Sequence, residues 1–257
     1  MLKYKYILPL FIVLVFGTVW IFNSTMWTYL ISVPLFIIYL AISAYGSYFI
    51  QANYFIDILH HGNGQQKKIA LTFDDGPKPV FTQSVLDILK DKQVPSLFFL
   101  IGQNIQGNET DVTRMISEGH IVGNHSYSHN YWFSLNWNDA ILADIRRCDD
   151  EILKVIGKRP KLFRPPYGVT NPMVALAMKL GHYTGIGWSL RSYDTNAKDA
   201  DKLLNKIIAN IKNGDVILLH EWGKHTAAIL PALIDKCRKL GFEFVRADEL
   251  LGVEAYY

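Results

Sequence analysis

The stretch "LTFDDGP", Leu71 to Pro77, runs an apolar segment into two adjacent carboxylates, Asp74 and Asp75, and then into a Gly-Pro pair that stops it. A short apolar run bounded by breakers reads as a buried strand. The two like charges at its exit repel each other and need a physical reason to be there.

Further along the chain come "SLFFLIG", "HIVGNHS", "LFRPPYG", "YTGIGWSL", "DVILLHE" and "FEFVRADE", separated by helical patterns such as "VFTQSVLDILKDK" and "NDAILADIRRCDDEILKVIG". Nearly continuous apolar strands alternating with helices indicate a parallel sheet covered by helices. The run from Lys67 to Tyr257 is too short for a closed eight-unit barrel, which takes roughly 250 residues. The expected class is α/β, an incomplete (β/α) barrel of seven units.

Ahead of this lies a segment of another kind. From Tyr6 to Ile56 the chain has no Asp, Glu, Lys or Arg. As one helix it would run about 75 Å at ~1.5 Å per residue, against a hydrocarbon core of roughly 30 Å. It therefore folds back, with "NSTMWT" (Asn23 to Thr28) as the break and Tyr6–Phe22 and Tyr29–Ile50 as two spans. Asn23-Ser24-Thr25 also fits a glycosylation triplet, but a turn is the simpler reading. A cleaved signal peptide explains the first span less well, because no small-residue cleavage site follows and a second span does. The expected division is a two-helix transmembrane anchor over 1–56, a linker over 57–66 containing His60 and His61, and a catalytic domain over 67–257. Lys3, Lys5, Lys67 and Lys68 flank the spans and the turn has no cation, so the positive-inside rule puts the body on the cytoplasmic face of a bacterial inner membrane. The periplasmic face is the alternative.

Composition narrows the partners. Half of the residues are hydrophobic and the net charge is +3, without the clustered basic residues that nucleic acid binding needs. Cys148 and Cys237 are the only cysteines; both fall in helical patterns, and they exclude a disulfide framework.

In a parallel βα sheet the C-terminal strand ends share one rim, where active sites form. Here that rim collects Asp74 and Asp75, His125 and His129, Arg164 and Tyr167, Arg191 and Asp194, and His220. "HSYSH" holds two imidazoles one turn apart, and an Asp from a neighbouring strand completes a two-His, one-carboxylate set with open positions, as a catalytic divalent cation requires. Two adjacent carboxylates can then divide the work. Asp75 ligates the cation, and Asp74 stays free to take a proton from the water that the cation activates. His220 can protonate a leaving group.

These motifs resemble those of the NodB-like polysaccharide deacetylases, metal-dependent enzymes that remove acyl groups from carbohydrates. The resemblance covers residues 67 to 250. "TFDDG" implies Asp74 as base and Asp75 as metal ligand, and "HSYSH" implies His125 and His129 as the other ligands. "RPPYG" implies that Arg164 orients the base and that the Tyr167 N–H holds the oxyanion. "LLH" implies Leu218 in the acyl pocket and His220 as the acid. The implied fold is a distorted seven-stranded (β/α) barrel, and the implied cofactor is a divalent metal, zinc first, with cobalt, nickel or manganese as other options.

One motif departs: "RSYDT" has Arg191 where relatives have the Asp that tunes the acid histidine. A nearby cation would depress His220. Either another carboxylate compensates, Asp194 first, or Arg191 has taken a substrate role toward phosphate or carboxylate. Trp222, beside His220, and Tyr131 to Phe133 are candidates for stacking on sugar or entering the bilayer, with core packing as the competing reading. The expected function is metal-dependent removal of an N-acyl group, acetyl or formyl, from an amino sugar in a polysaccharide or lipid-linked saccharide. The alternative is an inactive, membrane-tethered carbohydrate-binding protein on the same fold.

Overall fold

The computed structural model describes residues 2–23 and 25–257; Ser24, in the expected turn and the Asn-Ser-Thr triplet, lies outside them. Two helices lead, α1 (Tyr4–Phe22) and α2 (Met26–Tyr48). Phe11 stacks on Tyr39 at 4.5 Å, and the Thr18 and Ser32 hydroxyls meet at 2.9 Å. Both helices are long and apolar enough to cross a membrane, and α1 buries none of its side chains.

Both ends of the hairpin return to the body. The Tyr4 N–H donates to the Tyr54 carbonyl at 2.9 Å, and Lys3 pairs with Asp57. Gly46 lies so close under the Tyr54 ring that any Cβ there would collide with it. Ser47 Oγ donates to the Thr170 carbonyl at 2.6 Å, the Thr170 N–H returns a bond to the Ser47 carbonyl at 3.1 Å, and Gln51 Nε2 donates to the Trp188 carbonyl at 2.8 Å.

The body is a curled, open sheet. β1 (Ile58–Leu59) falls inside the expected linker, so that stretch is partly built into the sheet. β2 (Lys68–Gly76), α3 (Phe81–Lys92), β3 (Ser96–Leu100), α4 (Glu109–Ser117) and β4 (Ile121–Asn124) follow. Then come α5 (Asn138–Ile156), β5 (Leu162–Phe163), α6 (Pro172–Leu180), β6 (Thr184–Ile186) and β7 (Leu190–Arg191). The chain finishes through α7 (Ala200–Asn210), β8 (Val216–His220), α8 (Thr226–Lys239), β9 (Glu243–Phe244) and α9 (Ala247–Leu251). Each of the seven apolar runs carries a strand; "YTGIGWSL" splits into β6 and β7, and β1 is added.

The strand order is β1-β6-β5-β4-β3-β2-β8-β7, with β9 beside the start of β2, and the pairings between these strands are all parallel. β6 and β7 lie toward opposite ends of that order, so the barrel stays open between them. β2 at the centre is buried along nearly its whole length, as a strand covered on both faces must be. α5 buries Ile141, Leu142, Ile145, Cys148 and Ile152, one face of a helical repeat, and stops at Gly157 in the left-handed region. α6 starts on Asn171, whose side chain accepts from the Val174 N–H at 2.9 Å, with Pro172 in the first turn. Cys148 and Cys237 are both free and buried, in α5 and α8. His60 and His61 bond the Ile58 and Gly62 carbonyls and form no metal cluster among the described residues.

Candidate active site

Because the strands run in parallel, their C-terminal ends bring the polar residues to one rim. β2 and β8 are neighbours in register, and Asp74 pairs directly with His220. A cavity of about 220 Å³ opens there, lined by Asp74, Asp75, His125, His129, Tyr167 and His220 among others. Leu218, Arg191 and Trp222 also line it.

Arg164 is fully buried and organises one side. Its Nη1 donates to Asp74 Oδ1 at 2.6 Å and to Thr72 Oγ1 at 2.9 Å. Nε and Nη2 donate to the carbonyls of Ile186 and Gly187 at 3.1 and 2.7 Å, and the guanidinium lies 4.1 Å from the Phe99 ring centre. Burial pulls its pKa below the usual value while Asp74 opposes that. The side chain is thus a charged strut that fixes Asp74 through one oxygen and leaves Oδ2 toward the cavity.

Asp75, His125 and His129 form the only cluster among the described residues in which three such side chains bring ligand atoms within 4.8 Å of one another. Asp75 Oδ1 stands 3.3 Å from His129 Nε2 and 3.6 Å from His125 Nε2. Ligands arranged tetrahedrally at the ~2.0–2.1 Å of zinc–nitrogen and zinc–oxygen bonds stand about 3.3 Å apart, so the spacing fits a cation of that size. His125 Nδ1 lies 2.7 Å from the Arg164 carbonyl, which can only accept, so Nδ1 bears a proton and Nε2 is the nitrogen that faces Asp75. Burial, reinforced by His125, pushes His129 down to about 4, which favours the neutral imidazole that metal binding needs. Burial alone would raise Asp75, but the three histidines and the Trp222 N–H hold it below the usual carboxylate value.

The loop carrying these histidines is tied from behind. Asn124 Oδ1 accepts from the Ser126 N–H at 2.7 Å, Asp144 Oδ1 from the Tyr127 N–H at 2.7 Å, and Ser126 Oγ from the His129 N–H at 3.0 Å. Asp75, Ser126, His129 and Tyr167 all have positive φ. Such backbone costs of order 1–3 kcal/mol at each site and persists only where the surroundings over-determine it. Tyr167, with its ring 4.7 Å from that of His129, lines the same wall.

On the opposite side, Asp194 is fully buried and holds His220. Asp194 Oδ1 lies 2.9 Å from His220 Nδ1, and Oδ2 accepts from the His220 N–H and from Thr226 Oγ1, both at 2.7 Å. Burial would lower His220, but the hydrogen bond and charge of Asp194, helped by Asp74 and Asp75, raise it above 6.5. Asp194 is thus the compensating carboxylate that the sequence offered first, and Arg191 does not leave His220 depressed. Arg191 instead lies over the faces of Trp188 and Tyr193, at 5.6 and 4.9 Å, and forms no ion pair among the described residues.

The structure sorts the aromatic candidates. Trp222 donates Nε1–H to Asp75 Oδ2 at 3.0 Å, so it braces a member of the cluster as well as lining the cavity. Phe133 is buried against Phe163, whereas Tyr131 and Trp132 are exposed. Sequence reasoning missed Asn124 and Asp144 altogether. Their only signal is position, one beside the first histidine and the other a turn and a half into the following helix.

The sequence profile described as "Polysaccharide deacetylase" matches residues 61–185. A peptidoglycan-N-acetylglucosamine deacetylase of Bacillus cereus is 35% identical over 191 residues, 72% of this chain and 89% of that protein. The peptidoglycan-N-acetylmuramic acid deacetylase PdaC of Bacillus subtilis is 34% identical over 189 residues, 74% of this chain but 40% of that longer protein. A solved peptidoglycan N-acetylglucosamine deacetylase superposes with a TM-score of 0.72 at 29% identity, covering 78% of this chain and 95% of that one. Shared sequence, shared fold and a rim where the motif residues converge agree, and the chain belongs to the polysaccharide deacetylase family.

Proposed function

We propose that the chain hydrolyses the N-acetyl group of an amino sugar of the peptidoglycan type, using a divalent cation held by Asp75, His125 and His129. The observation that carries this reading is the placement of the buried Arg164–Asp74 pair and the Asp194–His220 pair on opposite sides of that triad. The cation, zinc by donor set and spacing, would supply Lewis-acid activation of water and of the acyl carbonyl.

The protein groups account for the remaining steps. Asp74, held by Arg164 through Oδ1, receives the water proton on Oδ2 as the water oxygen attacks the acyl carbon. The Tyr167 N–H supports the developing oxyanion, and Leu218 packs the acyl methyl. His220 has Nδ1 committed to Asp194, so Nε2 delivers the proton to the amine as the C–N bond breaks. Acetate and a free amino sugar result. Arg191 offers an unpaired cation to an acidic substituent of the substrate. Asp194 removes the motive for an inactive binding protein, which was the loss of a carboxylate at position 191.

The helical hairpin anchors this site to a bilayer. Its spans of 19 and 23 residues reach about 28 and 34 Å at ~1.5 Å per residue, close to a hydrocarbon core of ~30 Å. The division proposed is anchor over 1–56, connection over 57–66 and catalytic domain over 67–257. The flanking lysines favour the cytoplasmic side, where the sugar would be lipid-linked; on the outer side the polymer would be the substrate. Acetate release from N-acetylglucosamine oligomers with and without a chelator tests the reaction, and a reporter fused at Tyr257 reads the side. A chain that binds the oligomers but releases no acetate after metal loading would defeat the enzymatic reading.

A further inference from the structure

We infer that the loop from Tyr131 to Trp137 is a membrane-interface element that seats the mouth of the cleft at the headgroup level of the bilayer crossed by α1 and α2, an inference that rests on the anchor reading above. From Ser126 to Asn138 there is no Asp, Glu, Lys or Arg. Apart from Phe133, its large side chains point outward: Tyr131 is 71% exposed, Trp132 61%, Leu135 71% and Trp137 75%. Tryptophan and tyrosine with an aliphatic neighbour suit the headgroup boundary, where an apolar body meets a wet edge.

The loop sits where the helices leave the membrane. Phe133 plugs the loop into the same apolar cluster as Ile50, two residues past α2. Asn171 Nδ2 donates to the Ser134 carbonyl, and the adjacent Thr170 is bonded to Ser47 in the last turn of α2. Tyr45, Tyr48 and Phe49 are exposed at that end of the hairpin, so the loop extends an existing belt of aromatics. Its other end meets the cleft. Tyr131 stands 5.9 Å from Tyr167, and His129 immediately precedes the loop. The loop thus links the membrane exit of α2 to the cleft wall, and the cleft would receive sugars presented at the bilayer surface.

The test places single cysteines in the full chain at Trp132→Cys and Trp137→Cys. They are labelled with an environment-sensitive nitrobenzoxadiazole dye while the buried Cys148 and Cys237 stay unmodified. Control labels go to Ile37→Cys in α2 and Lys239→Cys at the end of α8. In phosphatidylcholine/phosphatidylglycerol nanodiscs containing nitroxide lipids, the inference predicts at least twofold quenching at 132 and 137 by a shallow nitroxide, quenching at 37 by a deep one, and none at 239. Quenching at 37 without quenching at 132 and 137 overturns the inference and leaves the anchor standing. Absence of quenching at 37 overturns both. Dye at 132 and 137 that responds to sugar oligomers but not to nitroxide lipid overturns it in favour of a glycan-stacking loop.

Discussion

The Asp194 carboxylate grips His220 twice, through Nδ1 at 2.9 Å and through the backbone N–H at 2.7 Å. Asp194 lies in the connection after β7, three residues past Arg191, and it raises the pKa of His220 against the burial that would lower it.

Asp194→Asn therefore moves the alkaline limb of the pH profile. His220 must be protonated to act as an acid, so kcat/KM falls as pH rises through its pKa, which in the wild type lies above 6.5. With Asp194 neutralised, burial lowers His220, the limb shifts to lower pH, and the rate at pH 8 drops by roughly 10²–10⁴. Arg191→Ala leaves the limb where it is. A limb that follows Arg191 and ignores Asp194 would refute this assignment.

The same contact gives a sign for stability. His220 has a raised pKa in the fold, so its contribution is complete below 6.5 and is lost as pH rises through the folded value. Asp194 is depressed, so its contribution is present above 3.8 and is lost as pH falls through the folded value. The metal-free protein, followed by thermal unfolding, should lose this part of its stability at both ends, and Asp194→Ala should flatten both slopes.

Arg164→Met strands Asp74. Removing one member of a buried ion pair costs roughly 3–5 kcal/mol, read as a fall in the unfolding midpoint of the detergent-solubilised protein. Activity should fall with it, because Asp74 loses its orientation. An unchanged midpoint would mean that Arg164 is not the strut its hydrogen bonds describe.

Trp222→Phe keeps the ring and removes the N–H that Asp75 Oδ2 accepts at 3.0 Å. Loss of such an outer partner typically weakens metal affinity by roughly 10–100-fold. Competition against a chromophoric chelator measures it, and an unaltered affinity would show that Trp222 only lines the cavity.

What the sequence made legible were residues whose chemistry and position coincide. Asp74, Asp75, His125, Arg164 and His220 sit at the ends of apolar runs, so a parallel sheet alone brings them to one rim. Asp194 was legible only as the first of two alternatives, and it reaches His220 because the chain turns at Tyr193, which has positive φ. Contacts that depend on which strands adjoin were hidden. Trp222 reaches Asp75 because β8 adjoins β2. β1 is two residues long and gains its place only from β6, so no local pattern marks it. Phe133 is buried and its neighbour Trp132 exposed in an uncharged loop without periodicity, where the side a residue faces is fixed by distant partners.

The central claim is a metal-dependent hydrolysis with Asp74 as base and His220 as acid. Its most direct measurement is acetate release from an N-acetylglucosamine oligomer by wild type, Asp74→Asn and His220→Ala, each loaded to the same metal content. The account predicts wild-type turnover that a chelator abolishes, with each variant slower by roughly 10²–10⁴. Full metal-dependent turnover in both variants would contradict it.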